Sequence, residues 1–370
     1  MEWIEKTLGE LGDIVGGATP STKHEEYYGG DIAWITPKDL SLFKGRYISC
    51  GERSITEAGL ASCSAQMMPP NTVLFTSRAP IGYVAIARQS VCTNQGFKSV
   101  VPHECVDSLF LYYLLKFNKE RIEAMGSGTT FKEVSGKTMK AVQVRIPCKI
   151  EGQKKIASIL DSIDSKIENN AKINDNLQQQ AFVLFDSFFR NISDGLCTIG
   201  DYLTPKRGRN LLSKDAIPGT VPVVAGGLEP ATYHNTPNTT APVLTISASG
   251  ANAGFVNLWH KPVWSSDSSF IDSSMTKDVY FWFVMLKKRQ REIFDAQTGS
   301  AQPHIYPQHI AAMPVCALDK SAISLFSSQV APLFALIGAN KDENERLSAI
   351  RDTLLPRLIS GEIDVSDVKL

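Results

Sequence analysis

The stretch "ASILDSIDSKIENNAKINDNLQQQAFVLFDSFF" (157–189) constrains this chain more than any other. Ile156, Leu160, Ile163, Ile167, Asn170, Asn174, Leu177, Ala181, Leu184 and Phe188 follow one another at steps of four and three. That spacing is a heptad seam lasting about four and a half heptads, the pattern of one helix packed along another. The seam recurs 170 positions later, with Asn340 matching Asn170. Val330, Leu333, Ile337, Asn340, Asn344, Leu347, Arg351, Leu354 and Leu358 keep the same alternation. An asparagine in such a seam is costly unless it meets a polar partner, and its use is to fix register. Antiparallel pairing of the two segments brings Asn170, Asn174, Asn340 and Asn344 to one level. A slip of one turn then buries amides without partners, at about 1–3 kcal/mol each. The bland reading of the same residues is a solvent-facing polar patch in an imperfect helix. A helix of this length spans roughly 55 Å. Pro332 and Pro356 interrupt the second seam, and Pro332 suggests that regular helix begins close to it.

Repetition extends beyond the helices. "LGDIVGG" (11–17) resembles "IGDYLTP" (199–205), and "TVLFTSRAPIGYV" (72–84) resembles "PVLTISASGANAGFV" (242–256). "GTTFKEVSGKTMKAVQV" (128–144) aligns without gaps with "GSAQPHIYPQHIAAMPV" (299–315), each reading as a turn and a short strand. The chain reads as a duplication: a globular part at 1–150, a long helix at 151–190, a second globular part at 191–320 and a second long helix at 321–370. Each globular part mixes short apolar strands, turns and one helix-like run, at 107–125 and 278–296. The expected fold class is α+β, with two mixed α/β domains separated by two long helices packed as an antiparallel coiled coil with a pseudo-twofold repeat.

Composition narrows the function. Lys plus Arg equals Asp plus Glu at 38 each, which argues against holding nucleic acid by bulk charge alone and leaves localised contacts open. The seven cysteines are scattered without a CxxC pair, so reduced thiols in a cytoplasmic protein are expected, with no zinc framework. No apolar run reaches about 18 residues, so no membrane-spanning helix is expected. The start of the chain is acidic and lacks the regions of a signal peptide. "SGKT" (135–138) imitates the end of a phosphate-binding loop, but Phe131 stands where that loop needs glycine, and "MKAVQVRIP" reads as strand. "PPN" (69–71) is not the N-P-P-aromatic motif of adenine methyltransferases. His304 and His309 lie five apart without a carboxylate cluster, so no metal site is expected, and with no nucleophile–base pairing in the sequence no catalytic residue is expected either.

"GQKKIASILDSIDSKI" (152–167), "LLPRLISGEI" (354–363), "TSRAPIGYV" and "GSGTTFKEV" together resemble the specificity subunit of type I restriction–modification systems. The resemblance covers essentially the whole chain. It implies two target recognition domains, each reading one half of a bipartite double-stranded DNA site. Paired helices would set the spacing and dock two modification (methyltransferase) subunits, with restriction subunits joining them. It also implies that the chain holds no cofactor itself: S-adenosylmethionine, and ATP with Mg for restriction, would sit in the partners. Two rival readings are a coiled-coil scaffold whose globular parts bind protein, and a free-standing enzyme.

Phosphates attract Lys and Arg, and base edges are read by Arg, Lys, Asn and Gln. The candidates in the first globular part are Lys38, Arg46, Ser77, Arg78, Asn94, Gln95 and Lys132. In the second they are Lys206, Arg207, Arg209, Asn252, Gln302 and His304. The basic run "LKKRQRE" (286–292) reads as the solvent face of an apolar helix or as a phosphate contact, and Tyr280, Phe281, Trp282 and Phe283 before it as core rather than stacking platforms.

Overall fold

A computed structural model describes residues 1–128, 132–299 and 302–368; the middle of the "GTTFKEV" and "GSAQ" turns, Phe131 included, lies outside them. The chain forms two compact units. Unit 1 comprises Met1–Glu168 with Glu345–Leu370, and unit 2 comprises Asn169–Asn344.

Unit 1 contains strands β1 (Trp3–Thr7), β2 (Gly12–Gly16), β3 (Tyr28–Ile35), β4 (Tyr47–Ile48), β5 (Ser54–Ile55), β6 (Val73–Ser77), β7 (Ile81–Ala87), β8 (Cys92–Thr93), β9 (Lys98–Pro102) and β10 (Gln143–Pro147). A five-stranded sheet runs β2-β9-β6-β7-β4, a three-stranded one β5-β3-β8, and β1 pairs with β10. Short helices α1 (Leu8–Leu11), α2 (Pro37–Leu42) and α3 (Glu57–Ala61) precede α4 (Ser108–Phe117), α5 (Lys119–Ala124) and α6 (Gly136–Ala141). The helix-like run at 107–125 is thus two helices. They break at buried Asn118, whose amide donates to the Leu114 carbonyl at 2.8 Å and so competes with the continuing helix. "SGKT" opens α6, capped by Ser135, so a short helix stands where a strand was expected to follow and β10 comes after it.

Helix α7 (Ile150–Phe188) begins in unit 1. There Ile156, Ala157 and Leu160 share one core with Phe110, Tyr113, Ile146, Leu358 and Ile359.

Unit 2 contains β11 (Cys197–Thr198), β12 (Lys206–Arg207), β13 (Val221–Val224), β14 (Thr232–His234), β15 (Val243–Ser247), β16 (Val256–Trp259), β17 (Trp264–Ser265), β18 (Ser268–Asp272) and β19 (Pro314–Val315). Its sheets run β12-β18-β15-β16, β14-β13-β17 and β11-β19. Helices α8 (Val279–Lys288), α9 (Gln290–Asp295), α10 (Pro307–Ala311) and α11 (Lys320–Ile359) follow. Phe281, Trp282 and Phe283 are buried core, as their run of bulk implies, and Tyr280 stacks on Phe334. Arg289, expected on a solvent face, is buried at the α8–α9 break. There it donates to the Pro314 carbonyl at 2.9 Å and to Glu292. One guanidinium thereby satisfies the exposed carbonyl of a strand end and a nearby carboxylate.

Three expectations about the long helices need correction. First, α11 starts at Lys320, well before Pro332. Pro332 is exposed, and its cost of about 3 kcal/mol is outweighed by burial of Phe326, Val330, Phe334 and Ile337 at about 1.5–3 kcal/mol each. Second, α11 is long and apolar enough to cross a membrane by length and composition, with mean hydropathy 1.6 over an 18-residue stretch. Within unit 2 that apolarity has its own use, since the same four side chains are core against α8 and the C-terminal part of α7. Third, the buried line of α7 beyond Ala181 passes through Phe185 to Phe189, the residue just past the helix, leaving Leu184 and Phe188 half-buried. A straight helix drifts about 20° per heptad against a strict seam, and the aromatic cluster of Phe185, Phe189, Phe281 and Phe326 draws the next residue inward.

Candidate nucleic-acid interface

In unit 1 the central hairpin β6–β7 turns at Arg78. The Ser77 amide donates to Gly96 at 2.7 Å, and the Ser77 carbonyl accepts from Val134 at 3.0 Å. Paired amides of Ser127 and Glu133 then close the base of the 127–133 loop. Arg78 comes to lie 3.4 Å from Glu133, whose other oxygen is 3.6 Å from Lys98. Arg78 keeps 34% of its side chain exposed, so the carboxylate orients the fork without covering it. Lys132, on the same loop, is exposed. The structure thus gathers Arg78 and Lys132 with Lys98 around one turn.

The other candidates of unit 1 are engaged within the fold or paired at the surface. Asn94 Oδ1 accepts from Gly96 N at 2.9 Å, a side-chain turn that shapes the "TNQG" loop, and exposed Gln95 accepts from Thr19 Oγ1. Lys38 is exposed and paired with Glu52 at 2.7 Å. Ser77 is fully buried, and its hydroxyl meets no partner among the described residues, so it cannot present a donor to DNA.

Arg46 is also misplaced by the sequence reading. It is 5% exposed and faces α7, where Nε and Nη2 donate to Glu168 at 3.0 and 3.2 Å, Nη2 to Ser165 at 2.9 Å, and Nη1 to Asp161. Burial works to lower its pKa, but the Glu168 hydrogen bond and the neighbouring acids more than compensate and raise it. The guanidinium is fully engaged in holding the β4 edge to the helix.

Unit 2 builds a comparable turn from different residues. The loop at 298–304 is closed by paired Thr298 and His304 amides, and Ile305 N donates to Ala248 O at 2.9 Å. This sets His304 beside Ser249, at the end of β15. Ser249 donates to Asp267, which also accepts from Arg207 Nη2 at 2.6 Å. The His304 ring stacks on Tyr306 at 5.9 Å. Arg207, Asp267 and Ser249 thus form one polar chain, and the His304 backbone pairs with that of Ser249 beside it. Lys206, Arg209 and Gln302 are exposed nearby in sequence, and Asn252 is half-buried with its carbonyl accepting from Phe255 N. Sequence reasoning missed Lys98, Glu133, Ser249 and Asp267. The acids look like ordinary surface charges until the fold sets each against an arginine.

The helix pair supplies a second kind of polar site. In unit 2 Asn170 Nδ2 donates to Asn344 Oδ1 at 2.8 Å and to Glu343 at 2.6 Å, and Asn340 Nδ2 donates to Asn174 Oδ1 at 2.8 Å. Partners descend along α11 as α7 is ascended, so the two segments run antiparallel there. In unit 1 Arg351 donates to Asp164 at 2.8 Å, and Tyr113 donates to the same carboxylate at 2.8 Å. Burial, with Asp164 beside it, raises the Tyr113 pKa. All seven cysteines are free, and no group of three or more His, Cys, Asp or Glu among the described residues could hold a metal ion.

Each unit joins mixed sheets to part of the long helices, which pair through asparagines. Comparison identifies the class. Residues 1–179 match the family model of the type I restriction modification DNA specificity domain. The type I restriction enzyme MjaIX specificity subunit of Methanocaldococcus jannaschii is 33% identical over 410 aligned residues, covering 99% of this chain and 95% of that protein. The EcoR124I/EcoR124II specificity subunit of Escherichia coli is 31% identical over 173 residues, 45% of this chain and 41% of that one. A crystal structure of the S subunit of a type I restriction–modification system from M. genitalium shares the fold. Its TM-score is 0.61 at 20% identity, with 99% of this chain and 97% of that chain covered. The chain belongs to the family of type I restriction enzyme specificity subunits.

Proposed function

We propose that this chain is the sequence-specific DNA-recognition subunit of a type I restriction–modification complex, acting in the cytoplasm. Each globular part reads one half of a bipartite duplex site, and the paired long helices set the gap between the half-sites. The helices also dock two modification subunits, which restriction subunits join. The chain itself is not catalytic; S-adenosylmethionine, and ATP with Mg, belong to the partners.

One observation carries the reading. Both units are built to one plan around the two halves of a repeated helix. The order β2-β9-β6-β7 in unit 1 has its counterpart in β12-β18-β15-β16 of unit 2, and β5-β3-β8 in β14-β13-β17. In both, a loop closed by paired amides is stapled to the turn after the central strand, at Arg78 and at Ser249. A duplication of this kind, with unlike side chains at matching turns, suits two half-sites of different sequence. The asparagine pairs support an antiparallel coil with internal pseudo-twofold symmetry.

The test is geometric. Inserting one heptad into each long helix lengthens it by roughly 10 Å, close to three base pairs, since duplex DNA rises about 3.4 Å per pair. Mapping of methylated sites in a host carrying the variant with its modification subunit should show both half-sites unchanged and the gap widened by about three base pairs. An unchanged gap refutes the spacer role. Half-sites that change with it refute the assignment of reading to the globular parts.

A further inference from the structure

Unit 2 holds a cationic hollow of about 220 Å³ that the DNA-reading role does not use. It lies where β16 and His260 after it meet α8 and the long helices. Its polar lining is Gln178, Asn257, His260, Lys287 and Lys341; Phe283, Phe334 and Ile337 form the apolar wall. Among the described residues no carboxylate lies in ion-pair contact with either lysine, although the charge of Glu229 reaches Lys341. Lys287 is fixed by donation to the Val256 carbonyl at 2.9 Å and by the face of Phe255, 4.1 Å from its ammonium.

The hollow is built rather than left over. His260 Nε2 is buried with no hydrogen-bond partner among the described residues. A buried polar nitrogen without a partner costs about 1–3 kcal/mol, so its retention calls for an occupant. The ring rests directly on Gly338 of α11: a Cβ there would lie 2.8 Å from His260 Cγ. Glycine inside a helix costs about 1 kcal/mol against alanine, and at this position it makes room for the imidazole.

The electrostatics agree with an anion. Burial, with Lys341 nearby, pulls His260 down to about 4, and the same two causes pull Lys287 down to about 8. Lys341 has much exposed surface, yet its surroundings remove enough water to lower it too, with Glu229 acting the other way. Two ammonium groups and a neutral imidazole are held close, an arrangement that a negative guest would stabilise. A single carboxylate would leave one ammonium uncompensated, whereas a dianion matches both.

We propose that this hollow is a binding site for a tetrahedral dianion of the phosphate class, held by Lys287 and Lys341 with the His260 imidazole as a further donor. The site is separate from the DNA-reading turns, so its failure would leave the proposed function standing.

Inorganic phosphate is the probe, added to the full chain and followed by calorimetry and by the imidazole resonances of His260. The expected result is saturable binding of one phosphate, with the His260 titration midpoint moving upward. Affinity should fall about tenfold or more in Lys341→Gln and again in the Lys287→Met/Lys341→Gln double variant. Lys341→Gln changes a surface-reaching side chain and keeps the fold, so it stays informative if the double variant does not fold. A second arm adds duplex DNA. Phosphate retained at saturating duplex is the expected result; displacement by duplex, whose backbone phosphodiesters carry one negative charge each, would overturn the dianion assignment. No saturable binding through the millimolar range, or binding unaltered in Lys341→Gln, overturns the proposal.

Discussion

Replacing Arg46 by methionine separates two roles that the sequence alone cannot distinguish. As a phosphate contact, Arg46 would release about one counterion on binding, and its loss would lower the slope of log affinity against log salt by about 0.9. The structure gives it a different task. Its guanidinium is 5% exposed and donates to Glu168 twice, to Asp161 and to Ser165, all on α7. Breaking a fully buried pair costs about 3–5 kcal/mol because a charge is stranded. Here the stranded partners, Asp161 and Glu168, keep 33% and 28% of their side chains exposed, so water recovers part of that loss. The expected destabilisation is about 2–3 kcal/mol, a urea midpoint lower by about 1 M for a slope of 2–3 kcal/mol/M. Urea unfolding of the purified chain gives the first number. Duplex binding by the complex with its modification subunits, across a salt series, gives the second. Lost stability with an unaltered salt slope is the expected pair. Unaltered stability with a slope lowered by about one would refute the argument and return Arg46 to the DNA.

Two further outcomes follow from the polar groups along the helices. Changing Asn170 and Asn340 together to leucine removes both donors of the Asn170–Asn344 and Asn340–Asn174 pairs; the fold should persist while register loosens. Methylation mapping should then show half-site gaps of more than one length, and a single unchanged gap would exclude the register role. His260 supplies a pH signature: its folded value of about 4 lies below the ordinary 6.5. The unfolded chain therefore binds this proton first as pH falls. Stability suffers no penalty from His260 above about 6.5, and the penalty grows as pH drops towards 4, reaching on the order of 3 kcal/mol at most. Thermal unfolding in phosphate-free buffer should show this loss between pH 6.5 and 4. It should be smaller in His260→Gln, and equal pH dependence in the two proteins would contradict the burial argument.

Which features could be read from sequence follows from how local their causes are. The heptad seam is a one-dimensional pattern, so both long helices and the level of the asparagines were visible before any coordinates. The aromatic run at 280–283 was legible as core for the same reason. Arg46 was not, because its partners Asp161, Ser165 and Glu168 lie more than a hundred residues away and resemble the solvent face of α7. Arg289 failed in the same way: a basic run predicts water, and only the fold shows the Pro314 carbonyl that takes it in. Arg78 and Arg207 could be named, but not the acids Glu133 and Asp267 that aim them. A cation presented at a turn is a local property, whereas its orientation is set by strand pairing across the sheet.

The polar groups along the helices also show why an apolar seam would be the poorer choice here. In unit 1 Asp164, 6% exposed, is held by Arg351 and Tyr113. Leucines at those places would pack at least as stably, since buried ion pairs seldom repay their desolvation. They would, however, accept a slide of one heptad at little cost. With the present residues the same slide would set Arg351 against Ala157 and Asn340 against Ile167. Each leaves a partly or wholly buried polar group unpaired, at several kcal/mol for the charge and about 1–3 kcal/mol for each amide. The two kinds of lock fail independently, one by losing an ion pair and the other by losing amide bonds. In the proposed spacer role both locks matter, since a single slipped heptad would change the site that is read.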